Sequence, residues 1–468
     1  KPWAPASPPP HLGAPFGALE HSGEMGNSIS SPMTAVAGGV FSLLAMILCL
    51  QRGPSGPRLF LQPKHPPPRG SHTVGALRAR LPLAEAEARK GAKGLLAQVH
   101  YPIEAQAESL GTAEFEYFRP EVIKMIAEGY SIPHFLLNYI LGQKSQIDAS
   151  CEPKRCKDGR GWPVAIFSSG LWGSCEMYTQ LCRELASAGV VVVALEHEDG
   201  SGIVAYDRES GEPIDYVEQP QWPYDTVAFN QPFLRKRARD MQMTVEGLQA
   251  CAHGEAGAAP GAEEGCAAAL ASVLQGCDAE QLVLVGHSFG SASVLHCLQQ
   301  LTSGTGAPGA WGSGVRGAVL MDLWPAPISS DISGKDFESV GAGLRTPFVL
   351  LQSEFWQGLK WYAPSCQRLA RAAGDRCLAA GVVRGAFHHW VSDTHLWAPA
   401  WLLRGMKLMG PGEYGRVHSA TVRALHAVLR ALLEPGTSKG VKAALNKELA
   451  AVDPEVLELF LDPLQCHQ

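Results

Sequence analysis

Gln281-Leu-Val-Leu-Val-Gly-His-Ser-Phe-Gly-Ser-Ala-Ser-Val-Leu-His-Cys-Leu298 is the stretch on which the fold is read. It opens with a short apolar run of β-type residues, which predicts a buried strand, and closes with a helix whose first residues are small. Gly286-His287-Ser288-Phe289-Gly290 joins the two. In a G-x-S-x-G turn between strand and helix the serine takes a strained backbone conformation, and the glycines let the two elements approach without a Cβ clash. Ser288 is thereby held at the carboxyl end of a sheet, with a helix N-terminus behind it that stabilises developing negative charge. The bare pentapeptide also arises by chance in a chain rich in Gly and Ser. The strand before it and the helix after it make Ser288 a candidate nucleophile.

The 468 residues suffice for two average domains or for one α/β enzyme with insertions. With 18% charged residues the composition is that of a globular protein with a large core. A net charge of −6 and the lack of an extended basic tract argue against a nucleic-acid partner. The twelve cysteines are scattered, and no C-x-x-C or Cys/His pair has zinc-site spacing; no metal or other cofactor is expected. Cys151 and Cys156 could pair in an oxidising compartment, although free buried thiols are the default.

Residues 1–33 are rich in Pro, Gly and Ser without periodicity and are expected to be disordered. Within them, Met25-Gly26-Asn27-Ser28-Ile29-Ser30 fits the N-myristoylation pattern, which operates only where Met25 is the initiator and would then place the protein in the cytoplasm. The chain starts at Lys1 rather than Met, as a fragment or a chain carrying upstream translated sequence would. Residues 34–50 form an uncharged apolar stretch of 17 residues between Pro- and Gly-rich flanks, read as a signal peptide or signal anchor leading to the secretory pathway or a membrane. Residues 51–71 read as a Pro-rich linker, 72–435 as the catalytic domain and 436–468 as a C-terminal helical tail. Residues 252–266 and 302–314 look like surface insertions.

Thr73–Leu81 and Gly94–Tyr101 alternate apolar and polar residues and predict an antiparallel start to the sheet. Phe118–Leu141 predicts a helix ending in a very apolar turn, either packed on the sheet or dipping into lipid. Val164–Ser168, the helix 175–188 and Val190–Leu195 form a β-α-β unit, so the sheet turns parallel, with helices on both faces. Gly170-Leu171-Trp172-Gly173 follows the first of these strands, where a second oxyanion amide is placed in such hydrolases; an ordinary strand-to-helix turn has the same composition. Glu196-His197-Glu198-Asp199-Gly200-Ser201-Gly202 suggests a metal site, but polar clusters at strand ends are more often hydrogen-bonded loops. The basic run Arg235-Lys236-Arg237-Ala238-Arg239 in a helix over 229–252 reads as a solvated face with one inward ion pair.

Val315–Asp322 is a strand ending in a carboxylate one element after the nucleophile, the place for the acid of a Ser…Asp…His triad, although Asp at a strand end also caps turns. Further strands are expected at Pro347–Ser353 and Ala380–Gly385, and helices at 420–433 and 438–461. His388, His389 and His395 follow Gly385, and spacing alone does not choose the base among them. Ser288, Asp322 and a histidine in that order define an α/β-hydrolase: a mostly parallel central sheet with an antiparallel N-terminal start. The amide of Phe289, directly after the nucleophile, is one oxyanion donor and that of Leu171 the candidate for the other.

Val164–Leu171, Val191–His197, Phe233–Arg239, Val283–Gly290, Ala318–Asp322, Leu351–Phe355 and Gly385–Asp393 together resemble the platelet-activating factor (PAF) acetylhydrolase family, the lipoprotein-associated phospholipase type. The resemblance implies calcium-independent hydrolysis of short or oxidised sn-2 acyl groups of phospholipids at a membrane or lipoprotein surface. It also implies Ser288 as nucleophile, Asp322 as acid, His388 as base, and the Leu171 and Phe289 amides as the oxyanion hole. The segment from His134 to Leu141 is similar to the family's interfacial helix, with Phe135, Leu136, Leu137, Ile140 and Leu141 expected to contact lipid. Ser169 replaces the family's usual histidine before Gly-Leu, and Ser291 a common glycine after the elbow. A general short-chain carboxylesterase or lipase is the alternative, and a non-catalytic lipid-binding relative the more distant one.

Overall fold

Strands built around runs of apolar residues are stable only when covered on both faces, and the central strands of this chain, such as Val191–Leu195 with every residue buried, meet that condition. The computed structural model describes residues 65–460 apart from 85–92, 104–114, 143, 146–152, 155, 157–158, 160, 222–223, 254–263, 304–311, 332, 361 and 435–437, together with the paired dipeptides Arg52–Gly53 and Gly56–Pro57. The expected disordered segment, the apolar stretch 34–50, Met25, Cys151 and most of both insertions lie outside the described residues. Among the described residues no helix is long and apolar enough to cross a membrane.

Among the described residues nine strands form one sheet: β1 (Thr73–Arg80), β2 (Leu96–Ile103), β3 (Trp162–Ser168), β4 (Val191–Leu195), β5 (Cys277–His287), β6 (Val315–Met321), β7 (Phe348–Ser353), β8 (Cys377–Val383) and β9 (Leu457–Leu459). Their order is β9-β8-β7-β6-β5-β3-β4-β2-β1. The pairs from β4 to β8 are parallel, whereas β1 with β2, β2 with β4, and β8 with β9 are antiparallel. This is the expected α/β architecture with an antiparallel start.

Alternate residues of each central strand enter opposite faces, as the period of two requires. Val283, Val285, Val319, Met321, Val349 and Leu351 join one core layer, while Leu282, Leu284, Ala318, Leu320, Phe348 and Leu350 join the other. The helices used below are α1 (Pro120–Gly129), α2 (His134–Leu141), α3 (Thr179–Ser187), α4 (Thr226–Ala252), α5 (Phe289–Ser303), α6 (Tyr414–Leu433) and α7 (Ser438–Ala450). Leu181 and Leu185 of α3 and Leu425 and Val428 of α6 cover the first face; Leu234 and Met241 of α4 and Leu295 of α5 cover the second.

Three expectations are corrected. The single helix over Phe118–Leu141 is two, because Ser131 adopts a left-handed φ of 54° and Pro133 has no N–H to continue the ladder. Four of the five lipid-contact candidates face inward: Leu136, Leu137, Ile140 and Leu141 are buried in the core, and Phe135 alone is exposed, at 77%. Half of an eight-residue amphipathic helix is thus spent on packing. The helix expected to run to 461 stops at Ala450; Asp453 precedes Pro454, which disfavours helical backbone there, and the chain returns as β9 on the edge of the sheet. The described part of the tail is thus helical over Ser438–Ala450 and then adds an edge strand to the sheet, and Ala380–Gly385 corresponds to β8, which begins earlier, at Cys377.

Candidate active site

Ser288 sits between β5 and α5 with φ of 57°, the left-handed conformation expected of a nucleophile elbow. The turn is that tight because of its glycines: a Cβ on Gly290 would lie 2.0 Å from the Ser168 carbonyl oxygen. Ser291, in place of a glycine, is accommodated by use of its hydroxyl, which lies 2.7 Å from the Gly286 carbonyl oxygen and 2.8 Å from that of Met321. The Ser288 amide donates to the same Met321 carbonyl at 2.9 Å, so the elbow is fastened to β6, the strand that delivers Asp322.

Three of the sequence candidates meet. His388 Nε2 is 3.0 Å from Ser288 Oγ, and His388 Nδ1 is 2.9 Å from Asp322 Oδ2. The imidazole stacks on Trp356 with ring centroids 4.2 Å apart and planes 12° from parallel, which fixes its tilt. Asp322 is fully buried, and burial pushes its carboxyl up to about 7, opposed by nearby His287 and by the Ser353 donors. Burial pushes His388 down to about 3. The chemically competent form is the carboxylate beside a neutral imidazole, which can take a proton from Ser288.

The other two histidines are placed elsewhere. His389 packs edge-on against His388 at 5.6 Å, and His395 donates from Nδ1 to the Ser392 carbonyl at 2.7 Å while its Nε2 pairs with the Tyr414 hydroxyl. Only His388 bridges Ser288 and Asp322.

Gly170 lies against Ser288: a Cβ added to it would be 3.2 Å from Ser288 Cβ. Leu171 is next in chain, and Trp172 takes a φ of 53° to complete the turn, in which the Gly173 amide donates to the Gly170 carbonyl at 3.3 Å. Trp172 donates its amide to the Ser201 carbonyl at 2.8 Å and packs on Tyr130, which pins the turn from outside. Phe289 is the first residue of α5, so its N–H has no carbonyl one turn back and points out of the helix end.

Several contributors were not singled out in sequence. Ser353 donates its amide to Asp322 Oδ1 at 2.5 Å and its hydroxyl to Oδ2 at 2.8 Å. His287 is neutral by burial, with Nδ1 2.9 Å from the Tyr178 hydroxyl and Nε2 3.0 Å from the His388 carbonyl oxygen. Arg237, from the basic run, is fully buried; it pairs with Asp199 and donates to Ser201 Oγ at 2.9 Å and to the Ser169 carbonyl at 2.5 Å. Its spacing with Leu234, Ala238 and Met241 already put it on the inner face of α4.

Among the described residues two groups have the donor types for a metal: His287, Asp322 and His388, and Cys175, Glu176 and Glu196. The first is already committed to the hydrogen bonds above, and in the second Arg119 lies between the carboxylates, donating to Glu176 at 2.6 Å and Glu196 at 2.5 Å. The Glu196–Gly202 loop is likewise organised by internal bonds: His197 spans Ser168 and Asp240, and Glu198 takes Arg80 and Arg208.

A parallel sheet carrying a strained serine after β5, with a buried aspartate at the end of the adjacent strand β6 and a histidine from the loop after β8, defines an α/β-hydrolase. A ferulic acid esterase from Streptomyces cinnamoneus has a similar fold, with a TM-score of 0.51 at 17% identity over 81% of this chain and 98% of that one. The family described as platelet-activating factor acetylhydrolase, isoform II matches residues 59–439, and the chain belongs to it. It is 22% identical to the platelet-activating factor acetylhydrolase of Bos taurus over 70% of this chain and 68% of that protein, and 25% identical to that of Cavia porcellus over 50% and 49%. It spans about half the length of the latter. A putative phospholipase A2 of Schizosaccharomyces pombe is 27% identical over 36% of this chain and 41% of its own.

Proposed function

We propose that this protein is a serine esterase that hydrolyses the sn-2 acetyl, short or oxidised acyl group of PAF-like phospholipids, without calcium, to a lysophospholipid and a carboxylic acid. The observation that carries the chemistry is the continuous path from Ser288 Oγ through His388 to Asp322, at 3.0 and 2.9 Å. The choice of phospholipid is supported by the family match over 59–439 and by the relatives' names.

In the first half-reaction Ser288 Oγ attacks the sn-2 carbonyl carbon and its proton passes to His388 Nε2. The developing oxyanion is held by the Leu171 and Phe289 amides, each worth roughly 3–4 kcal/mol of barrier. Asp322 fixes the tautomer of His388 and stabilises the imidazolium. On collapse the bond to the sn-2 oxygen breaks, and Nε2–H protonates that oxygen as lysophospholipid leaves. Water, deprotonated by the now neutral His388, attacks the acyl-Ser288 carbonyl, and the proton returns to Ser288 Oγ as the acid departs.

Membrane or lipoprotein association is part of the proposal and rests on the exposed Phe135, with residues 34–50 as a further anchor. The test compares acetyl-PAF, an oxidised short-acyl phosphatidylcholine and a soluble nitrophenyl ester, with and without a calcium chelator. Chelator-resistant turnover of the phospholipids is expected. Turnover of the nitrophenyl ester alone would replace this reading by that of a general carboxylesterase, and binding without turnover by that of a lipid-binding relative.

A further inference from the structure

We infer that Arg237 and Tyr178 are positioning residues that clamp the two peptide planes of the Ser169-Gly170-Leu171 turn and thereby aim the Leu171 N–H at the substrate oxygen. The inference rests on the esterase reading above and adds to it the residues that set the oxyanion hole.

In a trans peptide the carbonyl and the N–H point in opposite directions, so a group that fixes one fixes the other. For the Ser169–Gly170 peptide both ends are held: the Ser169 carbonyl accepts from Arg237 Nη1 at 2.5 Å, and the Gly170 N–H points to the Tyr178 hydroxyl at 3.4 Å. For the Gly170–Leu171 peptide the carbonyl end is held by Arg237 Nη2 at 3.5 Å and by the Gly173 amide at 3.3 Å. The Leu171 N–H is thereby turned away from the guanidinium, and Gly170 has already brought this peptide against Ser288.

The clamp is itself rigid. Arg237 is anchored through Nε to Asp199 and Ser201 and lies 4.9 Å from the centroid of the Phe289 ring, so one guanidinium braces the residues that supply both oxyanion amides. Tyr178 donates its own proton to His287 Nδ1 at 2.9 Å, which ties the turn to the elbow. Without the guanidinium the Asp199 carboxylate would lose its countercharge in the interior and the Ser169 carbonyl its charged donor, which would be costly.

The test uses Tyr178→Phe and Arg237→Lys in the full chain. For each, kcat and KM with a soluble nitrophenyl ester, the pH profile, and inhibition by an alkyl trifluoromethyl ketone, whose serine adduct carries an oxyanion, are measured. Loss of one oxyanion donor costs about a hundredfold to a thousandfold in kcat, so a misaimed one is expected to cost roughly tenfold to a hundredfold. KM should stay within about twofold, the inhibitor should weaken by the same factor as kcat, and the acid limb of the pH profile should not move. Tyr178→Phe, which deletes one hydroxyl, decides the matter should Arg237→Lys not fold. Wild-type kcat and inhibition in Tyr178→Phe would overturn the inference, as would a kcat loss with unchanged inhibition and a shifted acid limb, which would assign Tyr178 to His388 through His287. Failure of the esterase reading is distinct: the unaltered protein would then neither hydrolyse the ester nor be inhibited.

Discussion

Ser353 holds both oxygens of Asp322, giving its amide to Oδ1 at 2.5 Å and its hydroxyl to Oδ2 at 2.8 Å. The acid is thus kept ionisable in a fully buried place by the end of the next strand, β7. Removing the hydroxyl leaves Oδ2 with the His388 Nδ1–H at 2.9 Å. Ser353→Ala should therefore lower kcat about tenfold, in keeping with about 1–3 kcal/mol for an under-satisfied buried group. Because the lost donor favoured the charged form, the acid limb of activity should move to higher pH. Steady-state kinetics over a pH series checks both.

The unaltered protein should show a related pH dependence. Burial raises Asp322 to about 7 and lowers His388 to about 3, so the pair takes up its first proton near neutrality. The active form is the unprotonated one, with Asp322 as carboxylate and His388 neutral. kcat/KM should accordingly be maximal above about pH 7 and fall roughly tenfold per pH unit below it. A plateau extending down to pH 5 would show that Asp322 keeps its charge far below this value.

His388 and His389 are adjacent in chain but unequal in geometry, since only His388 reaches both Ser288 Oγ and Asp322. His388→Ala and Ser288→Ala should each reduce kcat by more than about a thousandfold, and together by little more than either alone, because the residues act as a unit. His389→Ala should leave kcat within about tenfold. Active-site labelling with a fluorophosphonate, followed by mass spectrometry, should place the adduct on Ser288.

What could be read from the sequence was what local pattern encodes. Val283–Gly290 announced strand, turn and helix because a G-x-S-x-G turn is a local necessity, and the Asp322 strand followed from apolar runs that end in a carboxylate. Spacing did not choose His388 over His389 and His395, and the family resemblance did; why that imidazole is held flat, against Trp356, shows only in three dimensions. The basic run 235–239 was legible as a helix face with one inward ion pair, but not the part played by Arg237, because its target Ser169 lies 68 positions away. The strand β9 was hidden for the opposite reason: three residues after Pro454 carry too little periodicity to compete with a helical neighbour, and edge pairing to β8 supplies the rest. The apolar turn of α2 misled because hydrophobicity alone does not say which side of a helix is covered.

That last ambiguity can be resolved by experiment, because Phe135 and Leu137 lie on the same helix in opposite environments, 77% and 3% exposed. Leu137 packs in the core, and Leu137→Ala should cost about 2–5 kcal/mol of stability through the cavity it leaves. Phe135→Glu removes no core contact and should leave the thermal midpoint within about 2 °C, since surface changes are usually worth under about 0.5 kcal/mol. If α2 meets lipid through that one ring, Phe135→Glu should lower sedimentation with phospholipid vesicles and turnover of vesicle-borne substrate about tenfold, because a buried aromatic is exchanged for a charge. Turnover of a soluble nitrophenyl ester should be unchanged. Equal loss on both substrates would place Phe135 near the acyl site instead, and no loss on either would remove α2 from the lipid-contact surface.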